Sequence, residues 1–564
     1  MNYLKGYKFR AFIGVLFKLI EAIFELILPF LMVALIDNGI KNQDLNMIYI
    51  LVVLMGVMSL LGYLSSLVCQ YNASIVSQGV GGKLRSALMK KINTFSNKEM
   101  DQFGASTLVN RMVIDINQIQ LMVAMTIRLA VRAPILMIGS IFALYNINAK
   151  IALSLLIFFP VFIIVIITFM YLSSKLYKKV QVQTDKLVNK ISEVLSGIRI
   201  VRSFSRADDE SKKIQIMNED LEKKTKVLGI VTTLSSPITS LLMNLVMLIL
   251  IYQGSLFVNL GTMTQGQMVA IINYCTQLVL ALLVFMNLVM IYSRGIAASN
   301  RVKEVLHTQK SITVSDDAVK DLGSDLTINF DNVSFSYPGE SYHVVSNMSF
   351  IIKPNTMVGF IGLTGSAKST LMYLLMRYYD VSEGAIYIND INIKDIDLYT
   401  LREKIGYATQ SAQFIQGTLF DNVAMGKDVD VAHALRMAQA QDILDKGLDS
   451  EILAYGSNLS GGQKQRVNIA RALAKNPAIL ILDDSLSALD YLTDQKLRTN
   501  IQENYKNMTS IVITQRTTSL QKADTIYVLE DGQLKDAGDH DSLLKRNKLY
   551  QEIHETQVRG EHNV

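Results

Sequence analysis

A chain of 564 residues has room for two or three domains, and half of its residues are apolar while only 18% are charged. The net charge of +6 is too small to argue for a nucleic-acid surface and suits a membrane protein with cationic cytoplasmic loops. Cys69 and Cys275 both lie in apolar blocks without ligand-like spacing, which argues against a structural disulfide or a zinc site.

The apolar residues crowd into the first 300 positions. Six stretches are long enough to cross about 30 Å of hydrocarbon: 11–36, 47–70, 121–145, 151–173, 228–257 and 267–293. The first is too long for a signal peptide, lacks a small-residue cleavage site and is followed by further spans. Short connections at 37–46, 146–150 and 258–266 carry Lys41, Lys150 and no cation, respectively. The N-terminal segment and the long connections 71–120 and 174–227 are rich in Lys and Arg. The positive-inside rule therefore places the N-terminus, both long connections and everything after the sixth span in the cytoplasm. Such a chain belongs in a cell membrane, in contact with the bilayer.

The long connections read as helical extensions of the spans. Apolar residues recur every three or four positions through "DKLVNKISEVLSGIRIVRSF" (185–204). Turns are expected at "MDQFGAS" (100–106) and "SFSRADDE" (203–210). Glu21 and Glu25 sit four apart within the first span, on one helical face. Carboxylates at that depth face either a cavity, here for a cationic or amphipathic substrate, or a partner such as Lys18. Met243, Met247, Phe285, Met286 and Met290 are candidates for an adaptable pocket lining.

A charged, mixed linker at about 301–326 separates domain 1–300 from a domain at 327–564, where short strands alternate with helices. "TMVGFIGLTGSAKSTLMYLLMRYY" (356–379) is an apolar strand, a loop of small residues and an amphipathic helix. Gly362, Gly365, Ser366, Ala367, Lys368, Ser369 and Thr370 form a phosphate loop, with Ala367 where a glycine is usual. Its backbone N–H groups wrap phosphate oxygens, Lys368 neutralises the β- and γ-phosphates, and Ser369 reaches Mg²⁺. The extra methyl is expected to cost little provided the backbone at 367 does not need a positive φ. Downstream, "ILILDDSLSALD" (479–490) is a buried strand at 478–482 with Asp483 at its end, placed to hold Mg²⁺ through water. Between them "LSGGQKQRVNIARALAKNP" (459–477) opens a helix on Ser-Gly-Gly, a second anion-binding end.

These motifs resemble the ATP-binding cassette (ABC) family, specifically exporters that fuse six membrane helices to one nucleotide-binding domain. The resemblance spans nearly the whole chain. It implies an all-α membrane domain followed by an α/β P-loop domain with a helical subdomain. "LSGGQ" (Ser460, Gly461, Gly462 and Gln463 after Leu459) matches the family signature unchanged. By the same resemblance Tyr337 stacks on the base and Gln410 couples Mg²⁺ and water to the membrane half. "SALD", ending at Asp490, speaks across a dimer, and the turns at 100–106 and 203–210 are coupling helices. ATP with Mg²⁺ is the implied cofactor; Tyr337 can stack on either purine, so GTP stays open.

In the family two such domains meet head to tail, each nucleotide lying between one phosphate loop and the other chain's signature. Three departures bear on the partner. Asp484 stands where a glutamate polarises the attacking water, Gln515 where a histidine contacts the γ-phosphate, and Ala454 where many exporters carry a glutamate. The expectation is half of a heterodimeric ATP-driven exporter of drugs or amphipathic compounds. Its own site would bind nucleotide and hydrolyse it poorly, while its signature completes the partner's catalytic site. The alternatives are a homodimeric lipid or peptide exporter with slow hydrolysis, or a nucleotide-gated regulator or channel.

Overall fold

The computed structural model describes residues 2–562, which fold into two compact units. One comprises Met1–Ile92 and Ser106–His307, the other Asn93–Ala105 and Thr308–Val564. The expected linker is thus divided. The last helix of the first unit runs on to His307, and from Thr308 the chain packs into the second, with Leu322 and Leu326 buried in its core.

Among the described residues, six helices are long and apolar enough to span a bilayer, and they make up the first unit: Lys8–Ile40, Leu45–Ile92, Ala105–Ile147, Ala149–Ser196, Ala207–Asn259 and Gln265–His307. Each contains one expected span and overshoots it. At 1.5 Å per residue, a 53-residue helix is about 80 Å long, more than twice the hydrocarbon thickness. The excess is the amphipathic extension read from the sequence. The third span breaks at Ala130–Val131, just before Pro134, and nearer its start contains a π-turn over Arg111–Asp115.

Apolar side chains divide between a packed interior and an outer face. Leu144, Ile151, Leu155, Leu250, Ile271 and Leu278 form one buried cluster. Ile138, Ile157 and Ile164 point outward, as lipid-facing residues must. Polar groups inside this unit find partners. Asp37 accepts hydrogen bonds from Gly266 N (3.0 Å) and the Thr264 hydroxyl, tying the end of the first span to the start of the sixth. Glu21 pairs with buried Lys18, whose Nζ lies 2.8 Å from both carboxylate oxygens. Glu25 is held in a fork by Arg132, with Nη2 2.9 Å from each oxygen. Arg132 lies 107 positions away, and nothing in the sequence identified it as the counter-ion.

In the second unit, a six-stranded sheet has the order Gln533–Gly538, Thr525–Glu530, Met357–Ile361, Thr509–Ile513, Ile479–Asp483, Ile405–Ala408. Its pairs are parallel except at the Gln533–Gly538 edge. Strands buried on both faces read as continuous apolar runs, which is why "ILIL" shows no alternation. A four-stranded antiparallel sheet built around Ile328–Phe335 packs beside it through Phe330, Phe350 and Phe360. A helical part, including Val431–Met437 and Gly461–Ala474, shares a core of Leu435, Val467, Ile469 and Leu473. The short helix Asn97–Phe103 also belongs to this unit. It starts on a Ser96–Glu99 capping box, and its Asp101 accepts a hydrogen bond from the Tyr379 hydroxyl. The second expected turn is helix Ile198–Ser203 followed by a break before Ala207.

Candidate nucleotide-binding site

Three adjacent parallel strands end side by side, and ligands of open α/β sheets bind at such carboxyl ends. Strand Met357–Ile361 leads into the loop at 362–367, Thr509–Ile513 leads to Gln515, and Ile479–Asp483 leads to Asp484. The register aligns Ile513 with both Phe360 and Asp483. Together they enclose a cavity of about 260 Å³ lined by Gly365, Ala367, Lys368, Ser369, Thr370, Gln410, Asp483, Asp484 and Gln515. Residues far apart in the chain therefore meet as expected from the motifs.

Within the loop, glycine is required at 362, where a Cβ would come 2.2 Å from the Leu529 carbonyl oxygen, and at 365, where φ is +87°. Ala367 corrects an expectation. Its φ of +71° is left-handed, so the backbone does need the positive φ that an alanine disfavours. Lys368 Nζ donates to the carbonyl oxygens of Gly362 (2.9 Å) and Leu363 (2.8 Å), bracing the loop around its own ammonium. Burial lowers the Lys368 pKa, against the pull of Asp483 and Asp484.

Asp483 ends its strand buried. Its Oδ1 accepts from Ser369 Oγ at 2.9 Å and its Oδ2 from the Tyr407 hydroxyl at 2.8 Å. Burial raises its pKa, while these two bonds and Lys368 oppose the rise. Ser369 and Asp483 oxygens lie side by side and Gln410 lines the same cavity, hard oxygen donors of the kind Mg²⁺ prefers, so the residues fit that ion. When bound with nucleotide, the ion would supply positive charge against the phosphates. Tyr407 was missed in the sequence, although it lies three positions before Gln410 in the same "IGYATQ".

Asp484 has φ +47°, and its Oδ2 lies 3.5 Å from Gln410 Nε2, at the outer limit of a hydrogen bond. Burial first and Asp483 second raise its pKa. Gln515 Nε2 donates to Thr364 Oγ1 at 3.3 Å, so it bridges to the phosphate loop. Tyr337 stands edge-on to Phe335 and Tyr379, and its hydroxyl is 3.0 Å from Thr370 Oγ1.

The signature residues lie outside this cavity. Ser460 caps helix Gly461–Ala474 in a capping box with Gln463, whose amide donates to Asp442 at 3.0 Å. Ser460 and Gly461 are exposed. A Cβ at Gly461 would meet no atom within 4 Å, and neither Gly461 nor Gly462 has a positive φ. Among the described residues, nothing requires these glycines. Asp490 caps helix Tyr491–Asn504 through Thr493 N at 3.0 Å, and Ala454 is exposed in a short 3₁₀ turn.

Known proteins carry the same two parts. Residues 11–282 match the ABC transporter transmembrane region, and residues 345–487 match the ABC transporter family. An uncharacterised ABC transporter ATP-binding protein of Bacillus subtilis, YfiB, is 35% identical over 99% of this chain and 98% of its own length. The chain belongs to the ABC transporter family. An ATP-dependent lipid A-core flippase of Syntrophus aciditrophicus is 30% identical over 86% of this ABC transporter and 82% of its own chain. A probable multidrug resistance ABC transporter of Bacillus subtilis, YheI, is 30% identical over 84% and 82%, respectively. The structure of a bacterial Atm1-family ABC exporter with ATP bound superposes with a TM-score of 0.83 at 23% identity, covering 98% and 99% of the two chains. With one transmembrane region and one ATP-binding region per chain, this is a half-transporter of the exporter type, an ATPase-coupled multi-pass membrane protein whose working unit is a dimer.

Proposed function

We propose that this half-transporter pairs with a different half-transporter to export drugs or other amphipathic compounds, using Mg-ATP, with its N-terminus and nucleotide-binding domain in the cytoplasm. The observation that carries the reading is the mismatch between the two halves of its nucleotide chemistry. The phosphate-loop cavity holds Asp484 and Gln515, whereas the signature outside it is complete. A carboxylate shortened by one C–C bond, about 1.5 Å, cannot hold water within the roughly 2.6–3.2 Å reach of a general base. Glutamine donates hydrogen bonds but cannot become cationic at the γ-phosphate. Lys368, Ser369, Asp483 and Tyr337 still provide for nucleotide binding.

The signature supports the other side of the pairing. Exposed Ser460 and Gly461, followed by half-buried Gly462, present a side-chain-poor helix start, fit for close approach by a nucleotide held on another chain. On this reading the partner supplies glutamate and histidine, and turnover occurs at the site this signature completes. The test is ATPase activity of the purified full chain, alone and co-purified with candidate half-transporters carrying Glu and His at those positions. The chain alone should bind ATP with little turnover, and the right pair should hydrolyse it. Robust turnover by the chain alone would overturn the reading.

A further inference from the structure

The membrane unit holds a second cavity, of about 530 Å³, between the helices Ala149–Ser196, Ala207–Asn259 and Gln265–His307. That volume falls in the range of about 300–1,000 Å³ used for drug-sized ligands. The cavity has two chemically different ends. On Ala149–Ser196 the lining passes from Ile166, Phe169 and Met170 to Ser173, Ser174 and Tyr177. On Gln265–His307 it passes from Leu283 and Met286 to Asn287, Met290 and Arg294. These two helices are separated in the chain by one antiparallel span, so they run in the same direction. Their polar ends therefore coincide.

The polar end offers donors and positive charge. Asn287, Met290 and Arg294 fall at i, i+3 and i+7, on one helical face. Among the described residues, the side chains of Ser173, Ser174, Tyr177, Asn287 and Arg294 make no hydrogen bond or ion pair. Thr232, Ser235 and Thr239, on the middle helix, already donate to their own helix's carbonyls at 2.7–2.9 Å. The lining stretches 149–184, 223–259 and 265–303 contain no Asp or Glu, and the acids just beyond the polar end on the middle helix, Asp220 and Glu222, are already paired with Lys224 and Lys226. Lys175, Lys178 and Lys179 follow on the first of these helices, adding positive charge beyond the same end. The two membrane glutamates that suggested a cationic substrate, Glu21 and Glu25, are instead paired with Lys18 and Arg132 and do not line this cavity.

We propose that this cavity receives an amphiphile with an anionic head, a phosphate or carboxylate, its head at Arg294 and its apolar body against Phe169, Met170 and Met286. This deepens the exporter reading above by assigning a substrate class, and it rests on that reading. An apolar body matches one end by burial, and an anion matches an unpaired guanidinium that donates in a planar fork. A cationic head would meet Arg294 without any compensating carboxylate.

The test uses the full-length chain in neutral maltoside micelles, with binding read by native mass spectrometry. Dodecyl phosphate should bind saturably and at least about tenfold more tightly than dodecyltrimethylammonium, as expected where one head makes a charge-assisted hydrogen bond and the other is repelled. Arg294→Gln should weaken dodecyl phosphate binding by about tenfold, and Arg294→Lys, which keeps the charge but loses the planar fork, should fall between Arg294→Gln and the natural protein. Inorganic phosphate should compete weakly, because it lacks the apolar body. Competition by phosphatidylglycerol would identify a lipid headgroup as the source of the anion, and its absence a single-chain acid; both support the class. Equal or tighter binding of the ammonium, no saturable binding, or no change in Arg294→Gln would overturn it. Binding needs neither partner nor hydrolysis, so this failure is distinct from failure of the ATPase pairing test.

Discussion

Repair of the two substituted side chains, D484E with Q515H, should convert a holding site into a hydrolysing one. In the natural protein Asp484 Oδ2 only just reaches Gln410 Nε2, at 3.5 Å. Glutamate advances the carboxylate by one C–C bond, about 1.5 Å, far enough to hold water beside Gln410. A positioned general base contributes about 10²–10⁴-fold, or about 2.7–5.4 kcal/mol at 1.36 kcal/mol per tenfold. The left-handed backbone at 484 tolerates Asp better than Glu, which takes back part of that gain. The expected increase therefore falls at or just below the bottom of that range, about 30–100-fold for the double variant. A cross-linked self-pair of the full chain supplies an intact signature to each repaired site, so phosphate release can be measured without the natural partner. Nucleotide binding is measured in parallel. A double variant that binds ATP like the natural protein, yet hydrolyses it within about threefold of the natural rate, would refute the assignment of these two side chains.

Three further outcomes follow from the same site. A367G should stabilise the nucleotide-free protein by about 0.5–1 kcal/mol, because relief of left-handed alanine outweighs glycine's extra chain entropy; thermal unfolding reads it, and a lowered midpoint would contradict the φ argument. For Asp483 the folded pKa lies above its unfolded value, so the folded state binds the proton more tightly. Its contribution to stability is fully present below the ordinary carboxylate range and is lost as pH rises through the raised value. D483N should therefore flatten the fall in stability with rising pH in EDTA while abolishing Mg-ATP binding, and unfolding midpoints across about pH 4–7 with nucleotide titrations test both. Tyr379→Phe keeps the ring beside Tyr337 but removes the hydroxyl that donates to Asp101 on helix Asn97–Phe103. ATP affinity should stay within about threefold, whereas substrate stimulation of the assembled exporter's ATPase should fall, measured as the ratio of stimulated to basal rate.

Much of this protein can be read from its sequence because its strongest signals are local. A membrane helix must satisfy its backbone within one apolar segment, so each of the six spans announces itself by composition alone. The phosphate loop, the signature and the strand ending in Asp483 are each a few consecutive residues whose backbone performs the chemistry, and their identity survives without knowledge of neighbours. Asp484 and Gln515 were visible as departures for the same reason.

Pairings between distant segments were decided only by the folded chain, because side-chain reach depends on packing rather than on spacing. Arg132 reaches Glu25, Tyr407 closes on Asp483 and Tyr379 meets Asp101 across gaps that no periodicity encodes. The positive φ at Ala367 belongs to the geometry of the loop, and the amino-acid type there argued the other way. Sequence placed Met286 and Met290 among candidate pocket residues, but only three helices brought together at one depth show Arg294 as the charge at the polar end of that cavity.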